Sequence, residues 1–122
     1  MMSKNQIRTA FINYVFNQVN SAITRRASRE TVVGLTDEFP TDELFGLCQY
    51  ILTETCDFMG SALVEIIPGG DDQMWQIDDF VWQWGDDSSD YTPEYEALEN
   101  YAINQALAIC KVYGYNGLKA PY

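Results

Sequence analysis

All 18 acidic residues of this chain lie between residues 30 and 99, and that stretch holds no lysine or arginine. Whatever the middle of the chain folds into, it must turn its carboxylates to water or toward a base from the ends, because an isolated buried carboxylate is prohibitively costly. Residues 1–29 carry Lys4, Arg8, Arg25, Arg26 and Arg29 and no acid, and residues 100–122 add Lys111 and Lys119. The three segments hold +5, −18 and +2, for a net charge of −11. Such a charge keeps a protein dispersed, but its self-repulsion opposes folding, and a mixed surface would give solubility at less cost. The segregation therefore serves either solubility alone or a partner with a basic surface.

A chain of 122 residues fits one domain, residues 1–122. Apolar residues at 47% and aromatics at 14% supply a core, unlike the composition of a disordered acidic tail. Cys48, Cys56 and Cys110 form no CxxC and no close metal pair. An odd number without a secretory leader predicts reduced thiols in a cytoplasm, each buried as a small hydrophobe. The opening residues are too polar for a signal peptide, and no apolar run is long enough to cross a membrane.

Periodicity predicts an α+β fold of two N-terminal helices, a two- to three-stranded antiparallel meander and one C-terminal helix. Ser3 caps a first helix over residues 4–24, whose apolar face holds Ile7, Ala10, Phe11, Tyr14, Val15, Ala22 and Ile23. Ile12, Phe16 and Val19 widen that face, so either two neighbours cover it or part of it is a contact surface that permits a homodimer. Thr31-Val32-Val33 reads as a short strand ended by Gly34. A second helix begins after Pro40 and Thr41, buries Leu44, Leu47, Cys48, Ile51, Leu52, Thr55 and Phe58, and stops at Gly60.

From Ser61 the β-branched residues predict strands at 62–67, 73–77 and 80–84, with a turn at Pro68-Gly69-Gly70-Asp71-Asp72. Phe80, Trp82 and Trp84 would share one face of the third strand. After an acidic loop at 85–90, Thr92 caps a last helix with Pro93 in its first position and Gly114 at its end. Tyr95, Leu98, Ala102, Ala106, Ile109 and Tyr113 form its inner face.

The chain contains no histidine, which removes Ser-His-Asp and Cys-His hydrolysis, histidine zinc sites and the commonest general base. No phosphate-cradling glycine loop is present, and no cofactor is implied. The loop from Asp86 fails the EF-hand template, with Tyr91 at the sixth position and Ala97 at the twelfth, so no metal site is implied either. Direct nucleic-acid binding by the acidic body is disfavoured, since that affinity comes from Lys and Arg. Arg25 and Arg26 instead answer the C-terminal dipole of the first helix. A carboxylate-dependent hydrolase remains an alternative, because two acids a few ångström apart perform acid–base work. So many acids in turn positions make that pattern unspecific.

The acids do suit a basic partner. Asp71 and Asp72, Asp78 and Asp79, and Asp86 and Asp87 recur every seven or eight residues, with Asp90, Glu94 and Glu96 following. Asp37, Glu38, Asp42 and Glu43 form a second cluster. In this charge layout, in size and in the lack of catalytic groups, the chain resembles the small acidic proteins of phages and mobile elements that block restriction or CRISPR complexes, some by DNA mimicry. The resemblance implies a non-enzymatic inhibitor of a basic nucleic-acid-binding protein or nuclease complex, acting in the host cytoplasm. An immunity protein or antitoxin against a basic nuclease would share the mechanism. Acids steer the encounter and aromatic anchors hold it. Trp82, Trp84, Tyr91 and Tyr95 lie among the acids and are candidate anchors. The competing reading points Trp82 and Trp84 inward as core.

Overall fold

The computed structural model describes residues 2–33, 43–69, 71–85, 89–115 and 117–121, with the side chains of 26–33, 71, 72 and 89 left aside. In chain order the elements are α1 (Lys4–Val33), α2 (Glu43–Thr53), α3 (Thr55–Ile66), α4 (Asp71–Val81), β1 (Trp82–Trp84), β2 (Ser89–Tyr91) and α5 (Pro93–Tyr113). The broad class of helices with a small antiparallel sheet agrees with the sequence. The layout does not, because helices replace most of the expected meander.

α1 opens with a capping box. The Gln6 amide N–H donates to Ser3 Oγ (3.1 Å) and the Ser3 N–H donates to Gln6 Oε1 (2.8 Å), satisfying two orphan donors reciprocally. The helix then runs past residue 24 to Val33. No glycine or proline occurs before Gly34, and the β-branched Thr31, Val32 and Val33 each cost a helix only a fraction of a kcal/mol (~0.5). The strand expected there is therefore the last turn of α1. Arg25 lies within the helix rather than at its end, and its Nε pairs with Glu43 Oε2 at 2.5 Å. The dipole role assigned to it does not hold.

The second predicted helix is two helices. The chain breaks at Glu54 (φ −124°, ψ 48°), flanked by two threonines that bond back along the chain. Thr53 Oγ1 donates to the Gln49 carbonyl (2.6 Å) and Thr55 Oγ1 to the Ile51 carbonyl (2.7 Å), contacts that favour bending. α3 then passes through Gly60 and takes up residues 61–66, expected as a strand. Its burial pattern explains why. Phe58, Met59, Ala62, Leu63 and Ile67 are buried while Val64 is 53% exposed, a three/four spacing rather than alternation. α3 ends where Pro68 forces its predecessor out of helical geometry, with Ile67 extended at φ −87°, ψ 111°.

α4 occupies the position of the second expected strand, the last two residues of the turn before it and the start of the third expected strand. Ile77, Phe80 and Val81 face inward, and Met74, Trp75, Asp78 and Asp79 face water. Gln73 ties its first turn to α3, donating from Nε2 to the carbonyls of Val64 (2.5 Å) and Ile67 (2.7 Å). The expected third strand shrinks to β1, which pairs antiparallel with β2 in the register Trp82↔Tyr91, Gln83↔Asp90, Trp84↔Ser89. Phe80 is therefore on a helix and does not share a strand face with Trp82 and Trp84.

α5 follows the sequence reading. Thr92 caps it, Pro93 holds the first position, and Gly114 closes it in the left-handed conformation (φ 71°). The Tyr115 N–H reaches the Cys110 carbonyl at 2.9 Å, as in a Schellman ending. Tyr95, Leu98, Ala102 and Ala106 are buried as expected, Ile109 is half-buried, and Tyr113 is exposed.

One core cluster draws on all five helices among the described residues. Phe11 sits within it, edge-on to Phe58 and Tyr101 at centroid distances of 6.4 Å each. α1 packs on α2, α3 and α5, and α4 lies against α3, α5 and β1. The wide stripe of α1 is mostly covered by these neighbours, leaving Phe16 64% exposed.

Candidate acidic and aromatic interface

Residues 74–84 form the end of α4 and the strand after it, and their spacing decides what they present. Met74, Trp75, Asp78 and Asp79 are related by three- and four-residue steps, so one helix face carries all four. Trp84, two residues beyond the half-buried Trp82 on β1, joins them. Together these five residues line a shallow depression of about 250 Å³. Trp75 is 74% exposed and Trp84 70% exposed. Two open indoles with two carboxylates form a surface fitted to cationic side chains, since an aromatic face attracts a cation and a carboxylate bonds its N–H groups.

Trp84 is backed by a succession of rings. Its centroid lies 6.5 Å from that of Trp82, which stacks on Tyr91 at 4.7 Å and 19°. Tyr91 stacks in turn on Tyr95 at 4.7 Å and 27°, and Tyr95 is buried in the core. The register that sets Trp82 opposite Tyr91 thus links an exposed indole to the interior. Trp82 packs against the core, as the inward reading expected, whereas Trp84 on the same strand faces water.

The remaining expected site residues are dispersed. Asp90 and Glu96 are exposed and Tyr91 is half-buried, but none lines this depression. Glu94 is engaged with Lys4, Oε1 to Nζ at 2.9 Å, and that hydrogen bond holds its carboxyl below the usual range. Asp71 and Asp72 lie in the first turn of α4. Asp86 and Asp87 lie outside the described residues, as do Asp37, Glu38 and Asp42. Met74 and Trp75 were missed by sequence reasoning, which placed them on a strand. The signal that could have found them is the heptad spacing of Asp71 and Asp72 to Asp78 and Asp79, two helical turns.

A second depression, of about 530 Å³, contains Glu54, Asp57, Glu99, Cys56 and Tyr91. Burial, and then the neighbouring Glu96, raises the Glu99 carboxyl above its ordinary value. Burial followed by Cys56 raises the Tyr91 phenol. Tyr95, more deeply buried and near Glu99, is also shifted upward and stays protonated. Cys56 is exposed, against expectation, while Cys48 and Cys110 are buried. The break at Glu54 places Cys56 in the first turn of α3, whose inner face begins at Phe58.

Among the described residues no three histidine, cysteine or acidic side chains are grouped to hold a metal ion. No helix among them is long and apolar enough to cross a membrane. Comparison with protein-family models, with curated proteins and with solved structures finds no match to this chain.

Proposed function

We propose that the chain is a non-enzymatic inhibitor that docks on a basic, nucleic-acid-binding protein, in the manner of the antirestriction and anti-CRISPR mimics that its charge layout resembles. The observation that carries this reading is the pair of exposed indoles, Trp75 and Trp84, set beside Asp78 and Asp79. Aromatic side chains bring ~150–250 Å² each to a contact, and tryptophan is enriched among residues that dominate interface energies. Leaving two in water is unfavourable unless a partner covers them. The surrounding carboxylates supply the long-range attraction, and the partner's Lys and Arg, evolved to meet phosphates, are the complementary groups.

The test is capture from lysate on immobilised wild-type protein and on two variants, the double Trp75→Ala/Trp84→Ala and the double Asp78→Lys/Asp79→Lys. A DNA-binding protein recovered at low salt and displaced by duplex DNA is the expected result. The tryptophan variant should lose at least ~30-fold in affinity, the scale of a hot-spot residue, and the aspartate variant should chiefly slow association. Full binding by both variants, with unchanged circular dichroism, would remove this face from the mechanism.

A further inference from the structure

Between α1, the end of α4 and the start of α5 lies a depression of about 470 Å³ lined by two cationic side chains and one acid, in a chain of net charge −11. Its cationic rim comes from Lys4 and Arg8, one turn apart on α1. Its floor is Ile12, Phe80, Leu98 and Tyr101. Phe80 and Leu98 are buried core residues, and Ile12 and Tyr101 are half-buried. The volume lies in the ~300–1,000 Å³ range of small-molecule sites, which are mostly apolar with a few placed polar groups.

We propose that this depression binds a small amphipathic monoanion, a single carboxylate on an apolar body. The charges at the rim select that class. Lys4 is already paired with Glu94 at 2.9 Å, whereas Arg8 makes no ion pair among the described residues. With Lys4, Arg8 and Glu94 together, the rim holds a net single positive charge. In a chain of net charge −11, an arginine that stays clear of the carboxylates keeps its planar donors free for an incoming anion. Pro93 and Glu94 line the same rim and are the first two residues of α5, so the positive end of that helix adds to the attraction. A polyanion is disfavoured by Glu94 and by the overall charge. A neutral or cationic amphiphile gains the floor but not Arg8.

Decanoate is a suitable probe, with decanol and decyltrimethylammonium as neutral and cationic counterparts of equal chain length. Titration followed by amide chemical shifts should show saturable decanoate binding, with the largest changes at residues 4–12 of α1 and 97–101 of α5. Decanol and the ammonium compound should bind at least ~10-fold more weakly. That ratio is the least expected from losing a charge-assisted hydrogen bond. Arg8→Gln should lower decanoate affinity by a similar factor with little change in thermal stability at 0.15 M salt, since Arg8 is exposed and makes no ion pair among the described residues. Ala97→Phe, which fills the depression from the exposed side of α5, should abolish binding. Equal affinity for all three amphiphiles, shifts scattered over the surface, or full decanoate binding by the folded Arg8→Gln variant would each overturn the assignment.

Discussion

Thr92 joins α4 to α5 through four hydrogen bonds. Its N–H donates to the Val81 carbonyl (2.9 Å), its carbonyl accepts from the Glu96 N–H (3.0 Å), and its hydroxyl both donates to the Phe80 carbonyl and accepts from the Tyr95 N–H (3.1 Å). The residue is buried, so water does not replace partners that are lost. Thr92→Val keeps the shape and removes both hydroxyl bonds, leaving one carbonyl and one amide unmet. Combining the loss of a cap with a buried unsatisfied group, the cost should be about 2–3 kcal/mol in urea unfolding. Thr92→Ser retains both bonds and should lose less than half as much. Equal losses in the two variants would assign the effect to the methyl group. The Thr-Pro pair was legible in the sequence because a cap is a local device. The bond to Phe80 was not, because it depends on how α4 meets β1.

The same limit appears among the elements. The start and stop of α5 and most of its inner face could be read because each carries a local signal, although Tyr113 at its end is exposed. α3 and α4 could not, since short β-branched and aromatic runs suit a strand or a buried helix equally until packing selects one. Ala62 and Leu63, adjacent in sequence and both buried, settle the matter for α3. The candidate interface suffered the same fate. Its aspartates and Trp84 were recognised, but Trp75 joined them only once residues 71–81 formed a helix.

Gly60 offers a direct check on this element. Read as a terminator, it stands within α3, with no positive φ and with nothing within 4 Å of where a Cβ would sit. Alanine therefore meets no clash and removes the backbone freedom that glycine gives the unfolded chain. Gly60→Ala should stabilise the protein by about 0.5–1 kcal/mol in urea unfolding. A loss of stability would show that the helix does end there.

For the molecule as a whole, segregated charge sets the response to salt. Two surface ion pairs, Lys4 with Glu94 and Arg25 with Glu43, are present among the described residues, and each such pair is worth only ~0–1 kcal/mol. Against them stand 18 acids and a net charge of −11. Raising ionic strength from 0.01 M to 0.15 M shortens the screening length from ~30 Å to ~8 Å. Repulsion between carboxylates on different elements acts over such distances and is relieved, whereas a contact pair near 3 Å is screened less. Sodium chloride over this range should therefore raise Tm by about 3–6 °C, the shift that ~1 kcal/mol of relieved repulsion produces in a domain of this size. Asp78→Asn/Asp79→Asn should raise Tm at low salt and flatten the dependence, since the same repulsion is removed chemically. A Tm that falls with salt would mean that the ion pairs outweigh the repulsion. The exposed acids could then no longer be treated as stability given up for the sake of a basic partner.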